Sequence, residues 1–82
     1  MPRSAMIKRL EIERRRRGLS QVRLAGILGV HWTNVSELER GILTPLPGSP
    51  LVRKLERFFL PLRLDDLLAD IDPERHIVGG RS

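Results

Sequence analysis

The sequence predicts an all-α fold, a compact bundle of five helices in one small domain. Three observations carry that expectation. The apolar residues are aliphatic, with aromatics limited to Trp32, Phe58 and Phe59, and a core of leucine and isoleucine with few aromatics points to helices rather than strands. Apolar positions recur at intervals of three and four in separate stretches, the period of a helix face. Glycine or proline punctuates the gaps, at Gly18, Gly29, Gly41, Pro45 and Pro61. At 82 residues the chain can bury only roughly 60–65% of its unfolded surface, enough for a single modest core.

Each element has a local reason. Ser4 to Arg17 contains neither glycine nor proline, Ser4 can cap the first turn, and Met6, Ile7 and Leu10 share a face that Ile12 leaves. Gly18 ends this helix. Ser20 caps a second helix from Gln21 to Leu28, with Leu24, Ala25 and Leu28 on one face, and Gly29 stops it. A third runs from Trp32 to Arg40, burying Val35 and Leu38, and ends at Gly41. Ile42–Ser49, with Pro45, Pro47 and Gly48, reads as a loop. Ser49-Pro50 starts a fourth helix as cap plus first-turn proline; it extends to Leu60, with Leu51, Leu55 and Phe58 or Phe59 inward, until Pro61 breaks it. A fifth, Leu64 to Ile71, turns Leu64, Leu67, Leu68 and Ile71 inward and sets Asp65 and Asp66 near its positive end. Asp72-Pro73 closes it. Residues 1–72 are thus the expected domain, and 73–82 a polar tail expected to be flexible.

Composition narrows the function classes. Without cysteine there is no disulfide scaffold or thiolate metal site, as suits a reducing cytoplasm. His31 and His76 are too far apart in sequence to suggest a metal site, so neither metal nor cofactor is expected. No apolar stretch approaches the ~20 residues of a membrane span, and no signal peptide is visible; the expected location is cytoplasmic, with no membrane partner. Nothing resembles a nucleophile–base pair, and an enzyme is not expected. The charge is +5, and arginine supplies 13 of the 15 basic residues, a composition suited to planar anionic partners such as phosphate. It is uneven: residues 1–18 carry seven basic and two acidic groups, 42–64 four and one, and 65–82 two and five.

The informative stretch is Gln21 to Arg40. Two short helices flank a turn centred on Gly29; Ala25 is small where the helices cross, Gly29 supplies a positive φ, and Val30, Val35 and Leu38 form an apolar face. This is the pattern of a helix-turn-helix, whose second helix enters the DNA major groove. Gly18-Leu19-Ser20-Gln21, Leu24-Ala25, Leu28-Gly29-Val30 and Val35-Ser36-Glu37-Leu38-Glu39-Arg40-Gly41 together resemble the Cro/repressor-type helix-turn-helix family of bacterial and phage regulators. Leu64-Asp65-Asp66-Leu67-Leu68 resembles that family's closing helix. The resemblance spans residues 6 to 71 and implies a bundle of the phage-repressor DNA-binding-domain type, with helices two and three as the motif. The chain departs from the family in having His31 where Ser or Thr is common at the cap, Glu13 where an apolar residue is frequent, and a longer loop after the third helix.

The resemblance also assigns residues. Trp32, Thr33, Ser36 and Glu37 would meet base edges from the third helix; the competing expectation pairs Glu37 with a neighbour such as Arg40. Ser20, Gln21, His31, Asn34, Arg40, Thr44, Arg53, Arg16 and Arg17 are the candidates for phosphate, contacts that position a protein without reading sequence. Arg14 and Glu39 would form a structural ion pair. Leu62, Leu64, Leu67 and Ile71 would form a homodimer surface, since one such module reads few base pairs and two read a palindrome; the alternative is that these leucines are all consumed by the core of the single chain. The expected function is therefore a sequence-specific regulator of transcription, a repressor or autoregulator, bound to double-stranded DNA. The alternative is an antitoxin that binds DNA the same way and offers its acidic end, residues 65–82, to a toxin.

Overall fold

A computed structural model describes residues 6–72, and helices take up most of them. In chain order the elements are β1 (Ile7–Lys8), α1 (Arg9–Arg16), α2 (Gln21–Leu28), α3 (Trp32–Glu39), α4 (Pro50–Phe58), α5 (Leu64–Leu67) and β2 (Asp70–Ile71). The caps follow the sequence. Ser20 Oγ accepts from the Arg23 N–H at 3.0 Å and Ser49 Oγ from the Val52 N–H at 3.3 Å, each satisfying a donor that the first helical turn leaves free.

Among the described residues five helices form, as the sequence predicts, and a short two-stranded sheet that it does not predict joins them. β1 and β2 pair antiparallel, Ile7 opposite Ile71 and Lys8 opposite Asp70. Lys8 Nζ lies 2.9 Å from Asp70 Oδ1, and the Arg9 N–H donates to the Ala69 carbonyl at 2.9 Å. This closure shortens two expected helices: α1 begins at Arg9 rather than near Ser4, and α5 is a single turn ending at Leu67. A strand of two residues has no alternation to read, and its partner lies at the other end of the domain. The expected tail, 73–82, and the expected cap Ser4 lie outside the described residues.

The core is one cluster formed by Leu10, Leu24, Ala25, Leu28, Val35, Leu38, Leu55, Phe59 and Leu67. Every helix contributes to it, and each fully buried leucine contributes about 1.5–3 kcal/mol of transfer free energy. Leu67 has no exposed surface, so it is withdrawn from the expected dimer surface, while Leu62, Leu64 and Ile71 are half-buried. Of the two adjacent phenylalanines, Phe59 is enclosed and Phe58 half-buried; their rings meet edge to face with centroids 4.9 Å apart. Among the described residues, no helix is long and apolar enough to cross a membrane.

The turn between α2 and α3 is set by Gly29, at φ 73° and ψ 32°. The Val30 N–H returns to the Ala25 carbonyl at 3.0 Å and the Gly29 N–H to the Gly26 carbonyl at 3.3 Å, the paired bonds of a Schellman ending. A side chain on residue 29 would be strained in this left-handed conformation and would also meet Lys54 Nζ, 3.3 Å from its Cβ. The ends of α1 and α3 repeat the same bond pattern at Gly18 and Gly41, which is why the chain reverses so tightly three times.

Candidate functional site

The outward face of α3 follows from its burial pattern. Val35, Leu38 and Glu39 are buried; at 100° per residue, Thr33, Ser36, Glu37 and Arg40 fall on the opposite arc, while Trp32 borders the buried arc beside Glu39 and is open to solvent because it begins the helix. Trp32 is 47% exposed, and its ring lies tilted against His31, with centroids 5.9 Å apart. His31 caps the helix: its Nδ1 accepts from the Thr33 N–H at 3.2 Å and lies 2.9 Å from the Thr33 hydroxyl. The imidazole thus takes the place of the serine or threonine expected at a cap.

Beneath this face lies a buried polar junction. Arg14 Nε donates to Glu39 Oε2 at 2.6 Å and Arg14 Nη2 to Glu39 Oε1 at 3.0 Å, while Arg14 Nη1 donates to the Leu19 carbonyl at 2.8 Å. Gln21 Nε2 adds a bond to Glu39 Oε1 at 3.0 Å. One carboxylate therefore joins α1, the first residue of α2, and the last turn of α3. The Glu39 hydrogen bond, opposed by burial and aided by the charges of Glu39 and Glu11, raises Arg14 above its ordinary pKa. The Gln21 side chain, a phosphate candidate from sequence, is partly committed to this junction.

Glu13 is buried and surrounded by arginine. Arg9 Nε lies 3.2 Å away, Arg16 Nη1 3.4 Å and Arg17 Nη1 2.8 Å. Arg17 also donates to the Glu13 carbonyl at 2.9 Å and stacks over the Phe59 ring, 4.8 Å from its centroid. Burial pushes the Glu13 carboxyl up, but the hydrogen bonds from Arg17 and Arg9 and the charges of Arg16 and Arg17 outweigh it and hold it below its ordinary pKa. Arg16 and Arg17, both phosphate candidates from sequence, are thus engaged within their own chain; Arg17 is fixed, whereas Arg16 is held at longer range with its side chain 63% exposed.

The remaining candidates separate by the same test. Arg40 and Arg53 are exposed with no side-chain partner among the described residues, and Thr44 is exposed in the loop between α3 and α4. Ser20 is occupied as a cap. Asn34 is half-buried. Glu37 accepts from no side chain, Arg40 included, so its carboxylate is free among the described residues. Sequence reasoning missed Arg23, exposed and unpartnered in the first turn of α2; its place three residues after the Ser20 cap was the available signal. The acidic end is partly consumed: Asp70 pairs with Lys8, and Asp66 accepts from the Arg63 N–H at 3.0 Å. Comparison of the chain with family models, curated proteins and solved structures found no match.

Proposed function

We propose that this chain is a sequence-specific regulator of transcription that binds double-stranded DNA, with α2 and α3 acting as a helix-turn-helix and α3 lying in the major groove. The observation that carries the reading is the outward face of α3. It places an exposed tryptophan, two hydroxyl residues and an unpaired carboxylate on a helix locked from behind by the Glu39 junction. A buried helix back with a free polar front is what base readout requires. The resemblance of Gly18–Gly41 to Cro/repressor-type regulators supports the same assignment.

The chemistry of that front specifies what it would read. A carboxylate only accepts, so Glu37 pairs with the N4 amino group of cytosine, while Trp32 and the Thr33 methyl suit the thymine methyl. With Arg16 and Arg17 engaged by Glu13, the phosphates fall to Arg23, Arg40 and Arg53, helped by Thr44 and the N-terminal amides of α2. The protein acts without cofactor or catalysis, as a homodimer on a palindromic operator, with Leu62, Leu64 and Ile71 as the remaining contributors to the subunit contact.

Selection of duplexes from a random pool, followed by Glu37→Gln, tests the reading. The substitution should change preference at one base pair per half-site by about 1–3 kcal/mol. A uniform rise in affinity for all sequences would reduce Glu37 to a repulsive charge, and absence of duplex binding at low salt would overturn the function.

A further inference from the structure

A groove on the α2–α4 side of the molecule plays no part in the interface proposed above. Ile27 and Leu28 at the end of α2 and Phe58 at the end of α4 line an open groove of about 490 Å³, and Lys54 and Arg57 complete its wall. Ile27 is 51% exposed, a large apolar side chain left in water, and Phe58 is braced edge-on against the enclosed Phe59 ring. No side-chain partner meets Lys54 or Arg57 among the described residues. Glu56, the acid within α4, is turned to Arg63 and to the Leu64 N–H, 3.3 and 2.9 Å away, and does not line the groove. The cleft therefore has an apolar floor and a wall of one charge sign. Lys54 also lies beside the C-terminal end of α2, where the helix dipole favours a cation; that places the ammonium but leaves Arg57 without a counter-charge.

We propose that this groove docks an acidic amphipathic helix of a partner protein. One or two apolar side chains of that helix would cover Ile27 and Phe58, and flanking carboxylates would meet Lys54 and Arg57. Charge complementarity selects an acidic occupant, and the apolar floor selects protein over nucleic acid, because phosphodiesters gain nothing from covering isoleucine and phenylalanine. Helix-in-groove recognition has this composition of apolar anchors and charged rim. The proposal is independent of the DNA-binding reading, since it shares none of its residues.

The test uses the full chain, labelled with ¹⁵N, and two synthetic amphipathic peptides of identical leucine pattern, one flanked by glutamates and the other by lysines. The acidic peptide should shift the amides of Ile27, Leu28, Lys54, Arg57 and Phe58 and saturate. Lys54→Glu combined with Arg57→Glu should weaken it about tenfold or more, and Ile27→Ser should weaken it with both cations intact. Ile27 and Arg57 are at the surface, so Ile27→Ser and Arg57→Glu should hold the unfolding midpoint, whereas Lys54→Glu should lower it slightly by placing an anion at the end of α2. Titrations made well below every midpoint separate lost docking from lost folding. No saturable shift with millimolar acidic peptide, equal binding of the basic peptide, or indifference to Ile27→Ser would each overturn the proposal. So would displacement of the acidic peptide by duplex DNA at these amides, or the same shifts on concentrating the chain alone, which would make the occupant a second copy.

Discussion

Arg9, Arg14, Arg15, Arg16 and Arg17 in and just after α1 each meet a carboxylate of their own chain, whereas Arg53, Lys54 and Arg57 in α4 meet none among the described residues. Both segments are basic by count. The difference lies in where the acids fall. Glu11 and Glu13 stand three and four residues from Arg9, Arg15, Arg16 and Arg17, the spacing at which helical side chains meet, and Glu39 reaches Arg14 from α3. In α4 the acid Glu56 is three residues from Arg53 but is drawn instead to Arg63 and Leu64. Formal charge is therefore a poor guide to the charge available to a partner. The most basic segment of the sequence is largely spent on holding itself together.

The largest effect should come from the deepest of the α1 pairs. Arg14 and Glu39 side chains are only 9% and 3% exposed, so Glu39→Ala should destabilise the domain by about 3–5 kcal/mol by leaving a buried guanidinium unpaired. Urea denaturation of the single and double variants should show strong coupling with Arg14→Ala; simple additivity would mean that the pair is not acting as one unit.

Glu13→Ala should cost less in stability, about 2–3 kcal/mol for the lost charge-assisted hydrogen bonds. It should also release Arg9, Arg16 and Arg17 and so steepen the salt dependence of duplex binding. The pH dependence has a definite sign. Because the folded state holds Glu13 below its ordinary pKa, its contribution is complete above the unfolded carboxylate value, about pH 4.3, and is lost as pH falls through the folded value. The stability gap between the parent and Glu13→Gln should therefore narrow on acidification; a gap that widens would contradict the assignment.

Neutralising Arg23, Arg40 and Arg53 together to glutamine should reduce the slope of log K against log[salt] by about 0.9 for each phosphate that is no longer neutralised. Arg15→Gln should leave that slope nearly unchanged, as its guanidinium is occupied by Glu11 at 2.6 Å. Equal slopes for the two variants would erase the distinction between the regions. The smallest effect belongs to Arg15→Gln itself, whose side chain is 67% exposed: about 0.3–0.5 kcal/mol of stability, measured by thermal unfolding, as for other surface pairs at this spacing.

Much of the architecture was legible because it is written in local chemistry. Ser20 and Ser49 announce helix starts, and Gly18, Gly29 and Gly41 announce the reversals. The spacing of Leu24, Ala25, Leu28, Val35 and Leu38 marks the faces that become core. The face of α3 was legible for the same reason, since burying Val35 and Leu38 turns Thr33, Ser36 and Glu37 outward; Trp32 is exposed because it opens the helix. The partners of charged groups were less so. Arg14 with Glu39 was expected from a family resemblance, but Gln21 joining them, and Glu13 gathering three arginines, were not. Either end of a long side chain can reach several partners, and the sequence does not rank them.

The sequence by itself determined the helices α2, α3 and α4, their caps, and the apolar residues available for burial, because each depends on contacts within about four residues of chain. Tertiary structure alone decided that Ile7–Lys8 joins Asp70–Ile71 as a sheet, that Gln21 joins the Arg14–Glu39 pair, and which arginines remain free to meet a partner. Those outcomes depend on distant segments competing for the same hydrogen bonds, apolar space and counter-charges, and that competition is resolved only when the chain packs.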